Sequence, residues 1–334
     1  MRRYPQSKGI GKFLAIILAG FSLTLLVGSI SYAKVFGPTD TQAPAEDFLV
    51  QEDTDTATLA QELTDKGYVR GVWVFEIAYL REAYGNRILP GGYKISKSMD
   101  AWTIASTLLE PPYAAWIKIP VGVRKEQIAT QLADRLGWSD IKKQAFLDAT
   151  MAHGPEYVEG VYLPDTYFIP TDLAPQQVEE KIRSHFNTVF EPYSKEAVNK
   201  HIPWPTVLTI ASLIQREAGS AADMPIISGI IQNRLRIGMP LAIDATFQYM
   251  EGNETDGWWT PPSKANSYPN SPFNTYKNKG LPPHPIAEPG VTAIEAALNP
   301  SQTSCLFYIH DNNGKMHCSP TYAGQLANVQ KYLR

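Results

Sequence analysis

The chain has 334 residues, 30 Lys and Arg against 33 Asp and Glu, and a formal net charge of −3. Such a balance leaves no basic footprint, so nucleic acid is not expected as a partner. Apolar residues at 44% and aromatic residues at 11% describe a globular protein large enough for two ordinary domains, and 26 prolines point to long ordered loops rather than a helical bundle.

Phe13 to Ala33 carries no charge. At about 1.5 Å per residue, residues 13–33 are long enough to cross a hydrocarbon core of roughly 30 Å. Arg2, Arg3, Lys8 and Lys12 precede it, so residues 1–12 should stay in the cytoplasm and the body should lie outside it. The reading is a single-pass anchor in the inner (cytoplasmic) membrane with a periplasmic or otherwise extracytoplasmic body. A cleaved secretory leader is the alternative, since Ser31 and Ala33 are small residues at suitable spacing. Residues 34–46 contain Pro38 and Pro44 and few large apolar side chains, and they read as a linker with a reach of at most about 45 Å.

Residues 47–120 read as a small mixed unit, a βαβ-like module with helices on one side. A strand is expected at Phe48 to Val50, helices near Thr56 to Lys66 and Trp73 to Tyr84, a strand at Tyr93 to Ile95 after Pro90-Gly91-Gly92, and a helix over Trp102 to Leu109. Leu59-Ala60 and Leu63 recur as Ile128-Ala129 and Leu132 at a constant offset of 69 residues, which places a second helix of the same kind.

Residues 121–334 alternate helices with irregular stretches. Pro205 to Gly219 reads as a helix of about four turns, with Pro205 early in it and Gly219 just past its end. At 100° per residue Glu217 falls about 20° from Ile210 and about 40° from Leu213, on or beside the apolar stripe. A carboxyl there is partly desolvated, which favours the protonated form a general acid needs. Asp223 and Pro225 announce the next helix, with Asn233 and Arg234 near its end and Gly238 as its stop. Leu241 to Thr246 sets Asp244 in a short apolar run, and Glu159-Gly160 to Tyr167 carries two acids and two tyrosines on a turn-rich stretch.

Glu251 to Pro289 holds Trp258, Trp259, Tyr268, Phe273 and Tyr276 among eight prolines, a loop long enough to be functional and too aromatic for disorder. Near the end, Leu306 to Ile309 and Lys315 to Cys318 read as a β-hairpin. A loop of His310 to Asn313 would set Cys305 opposite Cys318 for a disulfide, whereas a slip of one pair would leave them diagonal and the bridge strained. The six histidines show no standard ligand spacing, no Gly-x-Ser-x-Gly elbow occurs, and phosphate-cradling glycine loops are absent, so neither metal nor cofactor is expected.

Taken together, Glu159-Gly160 with Pro164-Asp165-Thr166-Tyr167, Ala211-Ser212 with Glu217, Asn233-Arg234-Leu235 with Gly238-Met239, Leu241 with Asp244 and Thr246, Ser271 to Tyr276, and Gly280 to Pro283 with Pro285-Ile286 form an ordered series. In that order they resemble the YceG-like endolytic murein transglycosylases. Gln215, Ala245 and His284 depart from the family's usual Glu, Pro and Gly.

The resemblance implies an α+β fold with a LysM-like first unit and a catalytic domain over residues 121–334. It also implies cleavage of the β-1,4 bond between N-acetylmuramic acid and N-acetylglucosamine within a peptidoglycan glycan strand, leaving a 1,6-anhydro end. Glu217 would transfer the proton, and Glu159, Asp165, Tyr167, Ser212, Arg234, Asp244, Thr246, Asn274, Thr275 and Tyr276 would bind sugar or support the site. Phe273, Tyr276, Trp258 and Trp259 would offer flat surface to sugar rings. Glycan strands are the expected partner, with peptidoglycan-synthesis machinery a neighbour by location. A water-using muramidase with Asp244 as second carboxylate and a non-catalytic wall-binding module are the competing readings.

Overall fold

A computed structural model of the protein describes Ser22 and residues 26–154, 158–261 and 270–333. The chain divides into two units, Met1–Trp116 with Pro170–Asp172 and Ile117–Ile169 with Leu173–Arg334. Most of the segment 13–33, expected to cross a membrane, lies outside the described residues. Residues 26–36 are helical, and among the described residues no helix is long and apolar enough to span a membrane.

In the first unit, β1 (Glu46–Val50) leads to α1 (Thr56–Asp65), α2 (Val72–Ala83), β2 (Gly91–Ile95), α3 (Ala101–Leu109) and the start of β3 (Ala114–Lys118). Strand alternation in β1 buries Phe48 and Val50 and leaves Leu49 outward. Their partners are helical stripes at the expected spacing: Leu59, Ala60 and Leu63 on α1, Val74, Phe75 and Ala78 on α2, Ile104, Ala105 and Leu108 on α3. Asp55 and Asp100 start α1 and α3 by accepting from Thr58 N and Thr103 N, both at 2.7 Å.

One expectation needs correction here. A βαβ unit would make the strands parallel, but β1 and β2 are antiparallel, with Phe48 opposite Tyr93. The two helices expected between them bring the chain back to the end it left, so the second strand enters in the opposite direction. Residues 34–46, read as a linker, make contacts within the first unit. Arg70 donates to the Gly37 and Pro38 carbonyls at 2.6 and 2.7 Å, Thr39 Oγ1 to the Gly67 carbonyl at 2.6 Å, and Ser96 Oγ to the Ala43 carbonyl at 2.8 Å. Phe36 meanwhile stacks on Trp102 at 5.0 Å. The segment is therefore tied down along its length.

The second unit contains α4 (Lys125–Leu136), α5 (Asp140–Met151), β4 (Thr166–Pro170), α6 (Pro175–Asn199), α7 (Trp204–Glu217), α8 (Met224–Arg236), α9 (Ala245–Glu251), α10 (Val291–Leu298), the hairpin β5 (Phe307–His310) and β6 (Met316–Ser319), and α11 (Tyr322–Tyr332). The 69-residue echo falls on α1 and α4, which bury matching residues. Packed by α6, α8, α9 and α10, α7 has every residue from Val207 to Ile214 buried. An apolar stripe read from periodicity is here widened to the whole helix, because neighbours cover it on all sides.

The hairpin register also differs from expectation. Tyr308, not Cys305, lies opposite Cys318, and the loop runs Asp311 to Lys315. Asp311 sets it: its carboxylate accepts from Asn313 N at 2.9 Å and Lys315 N at 3.0 Å, while its own N–H donates to the Lys315 carbonyl at 2.9 Å. Cys305 and Cys318 are nevertheless bridged, with a Cα separation of 5.8 Å, because Cys305 precedes β5 and is free of the strand's pairing geometry. The bridge closes a loop of sequence separation 13. Replacing both cysteines by serine should lower stability in urea by about 3 kcal/mol, and a loss under about 1 kcal/mol would show that the hairpin holds without it.

Candidate active site

Glu217 is the last residue of α7. Its Oε2 accepts a hydrogen bond from the Tyr308 hydroxyl at 2.5 Å. Burial raises the carboxyl pKa above its ordinary 4.5, and the charge of nearby Asp244 adds to this. The Tyr308 hydroxyl, the Ala245 N–H and His310 act in the opposite sense without cancelling it. The carboxyl therefore keeps its proton to a higher pH than an exposed glutamic acid would.

Around it, Asp244 begins α9 and is exposed, accepting a hydrogen bond from the Tyr276 hydroxyl rather than capping its own helix. Tyr276 packs against Phe247 with ring centroids 5.1 Å apart. Arg234, near the end of α8, donates through Nε to the Leu306 carbonyl at 2.7 Å and through its guanidinium to the Leu241 carbonyl. One cation thus ties the backbone entering the Tyr308 strand to the backbone entering the Asp244 turn. Burial lowers its pKa, while Tyr308, Glu217 and Tyr276 help to retain the charge. His310 lies two residues beyond Tyr308, with Nε2 3.4 Å from Asp223 Oδ2. Gly219 lies just past the end of α7 as expected, and a Cβ there would stand 3.0 Å from the His310 ring.

The other predicted residues divide into supports and a separate cluster. Thr275 Oγ1 accepts from Ile243 N at 3.0 Å, Thr246 Oγ1 donates to the Ile243 carbonyl at 2.7 Å, and the two hydroxyls are 3.0 Å apart. Asn274 Oδ1 accepts from Tyr276 N at 3.1 Å. These three buried side chains shape the turns that carry Asp244 and Tyr276. Ser212 Oγ donates to the Thr209 carbonyl at 2.8 Å and accepts from Ile286 N at 3.1 Å, joining α7 to the loop before α10.

Glu159 belongs to a different site. It is fully buried, accepts from Lys125 N at 2.8 Å and lies 3.6 Å from Lys125 Nζ. Beside it, buried Glu288 accepts from Gly160 N at 3.0 Å and Tyr162 N at 2.7 Å. Burial and mutual repulsion raise the Glu288 pKa, and burial raises that of Glu159. Gly160 has φ +84°, and a Cβ on it would stand 2.8 Å from the Pro285 ring, so this paired-acid core requires glycine. Asp165 is exposed and accepts from His185 Nε2 at 2.8 Å, while buried Tyr167 donates to the Leu163 carbonyl at 2.6 Å.

Of the aromatic residues expected to line a sugar groove, Tyr276 bonds to a member of the Glu217 cluster, while the others described make contacts with other partners. Trp258 and Tyr249 flank the Arg124 guanidinium at 4.7 and 4.1 Å, Trp259 lies 3.8 Å from that of Arg216, and Phe273 packs on His284 at 4.7 Å. Each of these rings thus makes such a contact, while Trp258 also lines a surface cleft with Glu126, Asp140 and Lys143. Tyr268, from the same loop, lies outside the described residues. Tyr308, His310 and Glu288 were missed by sequence reasoning. A signal for the first two existed, since residues 308 and 310 share one face of a strand with period two.

Comparison with known proteins follows the same lines. A model of the YceG-like family matches residues 48–331. The endolytic murein transglycosylase of Bacillus subtilis (strain 168) is 27% identical over 306 residues, covering 85% of this chain and 84% of that protein. A protein of the same name from Streptococcus pneumoniae (strain D39) is 24% identical over 318 residues, and the match spans 58% of its length. The crystal structure of a YceG-like protein from Listeria monocytogenes shares the fold, with a TM-score of 0.62 at 23% identity over 85% of this chain and 98% of that one. With the family match running through both units, this α+β chain belongs to the YceG-like family.

Proposed function

We propose that the protein is an endolytic murein transglycosylase that cuts the β-1,4 bond between N-acetylmuramic acid and N-acetylglucosamine within a glycan strand. Support comes from the family and from relatives bearing that name. The observation that carries the chemistry is the Glu217 carboxyl, desolvated at the end of a buried helix and held by Tyr308.

In this reaction the protonated Glu217 gives its proton to the oxygen leaving C1 of the muramic acid. The resulting carboxylate takes the proton of the same sugar's C6 hydroxyl as that oxygen attacks C1. The bond broken is C1–O4′, the bond formed is C1–O6, and no water is consumed. Glu217 ends with a proton, ready for another cycle. Asp244, Tyr276 and Arg234 would hold sugar and steady the charge that develops at C1.

A hydrolytic reading is favoured by one observation, the charge of Asp244 acting on Glu217. There Asp244 would activate water or attack C1 directly. The two readings differ in product mass by one water. We further infer an extracytoplasmic body held to the inner membrane through residues 13–33, close to newly made glycan and to the machinery that makes it.

Incubating purified peptidoglycan with the protein should release fragments lighter than hydrolysis products by one water, measured by mass spectrometry. Glu217→Gln should cut the rate about 10²- to 10⁴-fold. Reducing-end fragments would replace the transglycosylase by a hydrolase, and unchanged release by Glu217→Gln would remove Glu217 from the reaction. Asp244→Asn should lower turnover while products stay anhydro, and a change confined to KM would exclude it from the chemical step.

Stability gives a separate check. Folding raises the Glu217 pKa above 4.5, so this group's contribution to stability is complete below that value and is lost as pH rises through the folded pKa. The melting temperature of Glu217→Gln should therefore gain on the wild type between pH 4 and pH 8. A difference constant with pH would mean that Glu217 titrates normally.

A further inference from the structure

Tyr308 lies outside every motif that the sequence offered, yet it makes the one direct side-chain hydrogen bond described to Glu217. The strand that carries it is held from several sides. Tyr308 pairs with Cys318, which is bridged to Cys305. Gln325 Nε2 on α11 donates to the Tyr308 carbonyl at 2.9 Å, and Arg234 donates to the Leu306 carbonyl at 2.7 Å. A phenol mounted in this way has little freedom to follow a moving carboxyl, so the carboxyl must conform to it.

We propose that Tyr308 is the positioning residue for Glu217, fixing one carboxyl oxygen so that the transferable proton is carried on the other. This rests on the proposed role of Glu217 in glycan cleavage. A carboxylic acid has two oxygens and one proton. With Oε2 accepting from the phenol, a proton on Oε2 would compete with the phenolic hydrogen for the same space, whereas a proton on Oε1 leaves that bond intact. Oε1 thus gives the proton to the leaving oxygen and afterwards takes one from C6–OH, while Oε2 stays bound to Tyr308 throughout. The phenol remains a donor in both stages, because burial and the Glu217 charge push its pKa well above 10. Its bond is stronger to the carboxylate than to the neutral acid, so it stabilises the form that exists after the leaving group has departed.

Other charged groups face the same carboxyl and set a background that a Tyr308 variant leaves in place. Asp244 from the turn before α9 opposes ionisation, and His310 on β5 favours it. Arg234 on α8 and Arg216 on α7 also feel the Glu217 charge. Removing the phenol hydroxyl alone therefore changes one contribution among several.

The test compares full-length wild type and Tyr308→Phe in detergent. The Glu217 carboxyl would be titrated by carbon NMR, its signal assigned by its absence from Glu217→Gln. Loss of one hydrogen bond to the carboxylate should move the Glu217 midpoint up by about one pH unit. The alkaline limb of the kcat profile for glycan release should move with it, and kcat should fall about tenfold with KM changed less than about twofold. Phe keeps the ring, and a melting temperature near wild type will show that packing persists. An unmoved midpoint with unchanged kcat overturns the proposal and makes Tyr308 a packing residue. If the midpoint moves but neither protein releases glycan, the positioning role holds and the glycan-cleaving function fails.

Discussion

The balance of desolvation against hydrogen bonding at Glu217 is the constraint on which the rest of the described site depends. A carboxyl at the end of a helix covered on all sides is pushed toward its neutral form, and the negative end of the helix dipole pushes the same way. Left unopposed, that pressure would hold the proton on the carboxyl and resist ionisation. Tyr308, the Ala245 N–H and His310 restore part of the affinity for negative charge. In the proposed reaction the group has to serve in both directions, and this balance suits it to that role. Its surroundings contribute this balance, since nothing intrinsic to a glutamate distinguishes it from the other acids in the chain.

Much of the second unit keeps that balance in place. Arg234 joins two backbone segments that are well separated along the chain, the turn into Asp244 and the strand of Tyr308. The hydroxyls of Thr246 and Thr275 and the amide of Asn274 satisfy the backbone of the turns that present Asp244 and Tyr276. None of these side chains touches Glu217 through a described hydrogen bond. Their effect is on where the groups that do so are held, and burial makes a lost partner costly.

The same physics appears a second time with a different use. Glu159 and Glu288 form a buried pair near Lys125, supplied with backbone donors from Gly160, Tyr162 and Lys125. Both acids favour protonation there, as Glu217 does. The distinction lies in access, since Glu159 and Glu288 are wholly buried while Glu217 is only partly so. A raised proton affinity alone therefore does not identify a reacting group. An acid also has to meet a substrate.

Local pattern was enough for the helices and strands of the first unit, for α7 with Glu217 near its buried side, for the Asp-capped helix starts and for the existence of a terminal hairpin. Each depends on residues within one or two turns of one another, where periodicity and capping carry the physical information. Local pattern set Glu159 on a turn and did not show it fully buried beside Glu288 and Lys125, because distant segments supply those neighbours. It misjudged the hairpin register, since an Asp311 side chain that bonds Asn313 and Lys315 shifts the loop without altering the apolar alternation. Nor could it show that Arg124 and Arg216 would each stack on a tryptophan, Trp258 and Trp259. By itself, then, the sequence determined the elements, the family resemblance and the candidate acid. Only the tertiary structure decided that Tyr308, 91 residues away, would hold it, because a hydrogen bond between remote segments depends on how helices and a cross-linked hairpin pack, and no spacing along the chain encodes that distance.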